Sequence, residues 1–151
     1  MLAILLAGCL APTPFKPAER RAADGYTVER LEPDRFRIGF AGNEATSPRQ
    51  VADSLAYLAS QVTLRNDADY FVIAANKMAR ATTYHPMGGY SEDVYCCRVR
   101  NGVTGHEYEA SGEITIRKGK APPDDPAAHD AREVADTLGP RVKRGNGFSI
   151  Y

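Results

Sequence analysis

The chain has 151 residues, room for one domain with a core of its own and a short appendage. Lysine and arginine number 19, as do aspartate and glutamate, so there is no general electrostatic pull toward nucleic acid or an anionic membrane. With no tryptophan and only 5 phenylalanines, the core must rest on aliphatic side chains and tyrosines, and no run reaches the ~18 apolar residues of a spanning helix.

The first element is an address. An apolar stretch, Met1 to Leu6, runs into Leu6-Ala7-Gly8-Cys9, the pattern of a bacterial lipobox. Small residues before the cut suit a membrane-embedded peptidase, and the Cys9 sulfur is the nucleophile that takes a diacylglycerol. Residues 1–8 are therefore expected to be a signal peptide, with Cys9 as the lipidated start of an exported protein. A signal peptide normally carries Lys or Arg before its apolar core, and only Met1 precedes Leu2 here. The expectation is that a few basic residues lie upstream. At about 0.8 kcal/mol per buried CH₂, two or three acyl chains would hold the protein to a membrane essentially permanently. Leu10, rather than Asp, follows the cysteine, which in enterobacterial-type sorting directs a lipoprotein to the outer membrane.

Residues 9–25 read as a Pro-rich tether. Pro12, Pro14 and Pro17 favour an extended spacer of ~3 Å per residue, able to lift a domain some tens of ångströms off a bilayer. The domain proper is expected over residues 26–140. Residues 26–31 lean toward a strand that ends at Glu32-Pro33-Asp34. Then Arg35-Phe36-Arg37-Ile38-Gly39-Phe40 alternates, with Phe36, Ile38 and Phe40 on one face and the arginines on the other, a half-buried strand in a hairpin with the first.

Ser47-Pro48 opens a helix, the serine as cap and the proline where no amide hydrogen is needed. Val51, Leu55, Leu58, Ala59 and Val62 form its apolar stripe, and Asn66-Asp67 ends it. The apolar run Tyr70-Phe71-Val72-Ile73-Ala74 predicts a strand buried on both faces, the last part of a strand–helix–strand unit. Residues 84–91 predict a loop, 93–100 a strand, Gly102 to Gly105 a turn, and 111–118 an alternating strand with Ile114 and Ile116 inward. After the proline-rich loop 119–126, a second helix is expected over 127–138, stopped by Gly139-Pro140, and 141–151 as a loose tail whose Phe148, Ile150 and Tyr151 suit an edge strand. The fold class is thus α+β: a mostly antiparallel sheet of four to five strands with two helices on one face.

Chemistry-bearing residues are few. Cys96-Cys97 is the most unusual pair. On a strand, neighbours point to opposite faces, so a vicinal disulfide needs a local distortion. Structural thiols, a disulfide within or between chains, and a metal or redox role alongside a histidine all stay open. No Cys-x-x-Cys is present, and His85, His106 and His129 fall on separate segments. Gly-x-Ser-x-Gly, paired Ser/Lys and Walker patterns are lacking, so neither a catalytic residue, a cofactor nor a metal ligand is assigned. Tyr84, Met87 and Tyr90, around Gly88-Gly89, are a candidate contact surface, since tyrosine joins apolar area to a polar tip. Arg98 and Arg100 alternate as Arg35 and Arg37 do; if the two faces adjoin, they make a small basic patch.

Several segments together resemble an uncharacterised family of small proteobacterial lipoproteins of the Caulobacter type. They are Ala11-Pro12-Thr13-Pro14-Phe15-Lys16-Pro17, Gly25-Tyr26, Arg35-Phe36-Arg37-Ile38 with Gly42-Asn43, Asp69-Tyr70-Phe71-Val72-Ile73, Asp130-Ala131-Arg132-Glu133-Val134 and Leu138-Gly139-Pro140. The resemblance implies a lipoprotein without an assigned activity. The expectation is a non-enzymatic, periplasm-facing envelope protein, joined to the membrane through Cys9 and acting on an envelope protein. The alternative is a periplasmic metal- or redox-responsive module built on Cys96 and Cys97.

Overall fold

A computed structural model describes residues 11–20, 23–86 and 102–142. The first two strands, β1 (Gly25–Glu32) and β2 (Arg35–Ala41), form the expected hairpin, turning at Pro33-Asp34. Helix α1 (Pro48–Arg65) follows, then two long strands, β3 (Tyr70–Pro86) and β4 (Gly102–Arg117), a short β5 (Ala128–Asp130), and helix α2 (Ala131–Leu138). The sheet has the order β1-β2-β4-β3-β5, with every neighbouring pair antiparallel. The α+β class, the mostly antiparallel sheet and the two helices are as the patterning requires.

Alternation sets which face is buried. Phe36, Ile38 and Phe40 on β2 lie opposite Ile114, Gly112 and Ala110 on β4, and these side chains face the helices. The other face presents Thr27, Glu29, Arg37, Glu109 and Arg117 to solvent. Ser47 caps α1 through a capping box with Gln50: the Gln50 N–H donates to Ser47 Oγ, and the Ser47 N–H to Gln50 Oε1. Val51, Leu58, Ala59 and Val62 are buried as the stripe predicts, and Ser54, Ser60 and Thr63 are buried with them. Those polar positions are tolerable because the Ser60 and Thr63 hydroxyls donate to the Tyr57 and Ala59 carbonyls.

The strand–helix–strand unit is present in split form, since β2 and β3 run parallel with β4 between them. β3 is not buried on both faces, however. Phe71 is enclosed, Ile73 half-buried and Ala74 exposed, because both helices lie on one side. The second helix is also shorter than predicted. Residues 128–130 pair with Tyr70 to Val72 as β5, and Asp130 caps α2 by accepting from the Glu133 N–H at 2.9 Å. The predicted loop at Tyr84 and turn at Gly102 to Gly105 are strand instead, paired with each other from Pro86↔Gly102 inward.

The largest correction concerns the tether. The described part of residues 9–25 is not a spacer but a docked segment. Phe15 is completely buried, its ring 4.8 Å from Tyr26, 6.3 Å from Phe40 and 5.1 Å edge-on to Tyr57. Lys16 and Ala18 hydrogen-bond the Tyr26 backbone on the free edge of β1, covering that edge as well as the core. The predicted tail is likewise anchored at its start: Val142 is buried and Arg141 is paired with Asp53 of α1.

Candidate functional site

The first described residues, 11–13, are held against the loop that joins β2 to α1. Their clamp is polar. The Thr13 N–H donates to Thr46 Oγ1 at 2.8 Å, the Asn43 N–H to Thr13 Oγ1 at 2.8 Å, and Asn43 Nδ2 to the Ala11 carbonyl at 2.8 Å. The Thr46 hydroxyl, having accepted from Thr13, donates to Asn43 Oδ1 at 2.8 Å. Thr13 and Thr46 are both buried, so the bond between them works where water does not compete, while the Asn43 bond to Ala11 is exposed. The loop between β2 and α1 thus grips the residues that follow Leu10.

Gly42 and Gly25 make the grip possible. A Cβ on Gly42 would lie 2.7 Å from the Thr46 side chain. Gly25 has a φ of +123°, and a Cβ there would sit 2.5 Å from the Lys16 carbonyl oxygen.

Direction follows from the pairing. Residues 16–18 run beside β1 in the same sense, through the parallel bridge Pro17↔Tyr26, so residues 11–15 extend toward the Gly25 end of the sheet. Gly25↔Ala41 and Ala41↔Glu109 mark that end. From it the two long strands continue alone for seven residue pairs, Arg80↔Tyr108 through Pro86↔Gly102. At ~3.4 Å per residue the arm is ~20 Å long. Apart from Gly42, whose N–H donates to the Tyr108 carbonyl, no described residue outside the arm pairs with this stretch in the sheet ladder. Ala79 and Arg80, at its root, are exposed.

The sequence-derived candidates fare unevenly. Tyr84 lies on the outer part of β3, and Met87, Tyr90, Cys96, Cys97, Arg98, Arg100 and Cys9 lie outside the described residues. The described half of the basic patch is neutralised. Arg37 donates to Glu29 at 2.9 Å and Glu113 at 3.0 Å, and Arg35 pairs with Glu32 at 3.1 Å. The Glu113 bond, then the Glu29 bond, hold the Arg37 guanidinium more firmly protonated than usual. Burial pushes the Tyr26 phenol above its ordinary range, against a smaller opposing pull from Arg65. His106 lies on β4 and His129 on β5.

Two depressions flank α1 and α2 on the helix side. One of about 580 Å³ lies between α2 and the 120–125 loop, beside Phe71, His129 and Val134. A smaller apolar one of about 190 Å³ lies between α1 and β3, lined by Leu55, Ala59, Ile73, Met78 and Ile114. Among the described residues, no group of three His, Cys, Asp or Glu side chains could hold a metal ion. No described helix is long and apolar enough to cross a membrane. No family model, curated protein or solved structure matches the chain.

The feature that sequence reasoning missed is the clamp. Its partners Thr13, Asn43 and Thr46 are separated by some thirty residues, and the only local signal was one phenylalanine set among prolines.

Proposed function

We propose that this protein is a lipid-anchored component of a bacterial cell envelope. It faces the periplasm from the outer membrane and works through contacts with other envelope proteins rather than by catalysis. The observation that carries the reading is Leu6-Ala7-Gly8-Cys9 closing an apolar run, with small residues where a peptidase cuts and a thiol where a diacylglycerol attaches. The likeness to small proteobacterial lipoproteins agrees with it.

Metabolic labelling with a clickable palmitate tests the reading, comparing the wild type with Cys9→Ser. Label and membrane fractionation should be present in the wild type and absent from the serine variant. No label in either would overturn lipid attachment and with it the envelope address.

A further inference from the structure

We infer that the bilayer carrying the Cys9 lipid is also the surface on which the β3–β4 arm lies. The inference rests on the lipid attachment proposed above.

Two lengths decide it. Cys9 is two peptide units before Ala11, and consecutive Cα atoms are ~3.8 Å apart, so Ala11 sits no more than ~8 Å from the lipidated residue. Ala11 itself is fixed: Asn43 holds its carbonyl, and Thr13 is tied to Asn43 and Thr46. Had residues 9–25 been a free polyproline-like spacer, the domain would stand ~50 Å away. With Ala11 docked, only two peptide units and the few ångströms of the glyceryl link separate the clamp from the lipid.

The arm is the second length. It leaves the sheet at the Gly25–Ala41–Glu109 end, the end toward which residues 11–13 point. Extending ~20 Å from there, it outreaches the anchor. A domain moored this closely cannot hold the arm upright in water between itself and the bilayer. The arm therefore lies along the surface or within the headgroup layer.

Hydrogen-bond chemistry separates this from deeper insertion. A two-stranded ribbon presents outward-facing N–H and C=O groups along its edges, and beyond Arg80↔Tyr108 the described ladder contains these two strands alone. Hydrated headgroups can meet those groups; hydrocarbon cannot. The arm's root carries Lys77 and Arg80 on β3 and Glu107 and Glu109 on β4, two charges of each sign, so net charge favours no one lipid class. The occupant of this surface is the lipid headgroup layer in general, not an anionic lipid in particular.

The test attaches the lipid by chemistry, so it does not depend on processing in a cell. The chain from Cys9, which keeps every described residue, carries Cys96→Ser and Cys97→Ser and is coupled through Cys9 to a maleimide lipid in phosphatidylcholine vesicles. A genetically encoded fluorescent amino acid replaces Thr104 on the arm or, as control, Lys118 at the opposite end of β4. Nitroxide-bearing lipids should quench position 104 at least threefold more than position 118, and a label at His106 should give the same order. Equal quenching, or stronger quenching at 118, would overturn the inference and turn the arm toward a protein partner. Failure here leaves lipid attachment to the palmitate experiment, and failure there leaves this geometry standing for a chemically attached anchor.

Discussion

Residues 11–18 and the β3–β4 arm meet the sheet at the same end, and composition would give each the other's fate. The first is proline-rich and reads as a spacer, yet Phe15 is fully buried and Thr13 nearly so. The second contains long strand-forming runs, yet it leaves the core, and residues 76–80 are exposed. What separates them is whether a large apolar side chain finds a socket and whether the backbone finds partners. Phe15 has three aromatic neighbours, and the backbone of residues 11–18 is bonded to Thr46, Asn43 and Tyr26. The arm outgrows β2 and β5, so among the described residues no third strand pairs with it.

The sharpest way to break this contrast is Phe15→Ala. Emptying a fully buried phenylalanine site should lower unfolding free energy by about 3–5 kcal/mol, read from urea denaturation. A loss under ~1 kcal/mol would mean the segment is undocked in solution and is the spacer its prolines suggest. Next in size is Gly25→Ala, which forces a side chain into a left-handed backbone conformation and against the Lys16 carbonyl. A cost of about 1–3 kcal/mol is expected in the same assay. A neutral result would show that residues 16–18 can leave the edge of β1 freely.

A pH series sharpens the contrast on the docked side. Burial raises the Tyr26 phenol above its ordinary 10.0 in the folded state. Below that value both states hold the proton and nothing is lost. As pH climbs past it, the unfolded phenol ionises first, so stability falls until the folded pKa is passed. Tyr26→Phe should therefore show a smaller drop in urea midpoint between pH 9 and pH 11 than the wild type. Equal drops would mean the ring is not held under residues 15–18.

Local chemistry was the part of the fold legible in the sequence. Ser47-Pro48 with Gln50 three residues after the cap fixes where α1 begins, and the alternation of Phe36, Ile38 and Phe40 fixes which face of β2 is inward. The errors fall where a distant partner overrides a local pattern. Alanines at 127, 131 and 135 have helical spacing, but Tyr70 to Val72 offers an open edge, so residues 128–130 take it and Asp130 becomes a cap. Tyr84 precedes His-Pro-Met-Gly-Gly and reads as loop, but Thr104 pairs with it across the arm. At the candidate site, the Leu6-Ala7-Gly8-Cys9 pattern on which the proposal rests is readable because its residues are contiguous. The clamp is not, because Thr13 meets Asn43 and Thr46 only once the sheet has assembled.

The smallest expected effect is at the root of the arm. Met78 is 47% exposed, the one large apolar side chain so open among the described residues, and it borders the small cavity beside α1. Met78→Ser removes little buried area, so the unfolding free energy of the unanchored domain should move by less than ~0.5 kcal/mol. The contrast with Phe15 is then about sixfold or more for side chains of similar size at the same end of one sheet. A loss above ~2 kcal/mol would put another surface over Met78 in solution, and the arm would be as much a buried element as the segment after Cys9.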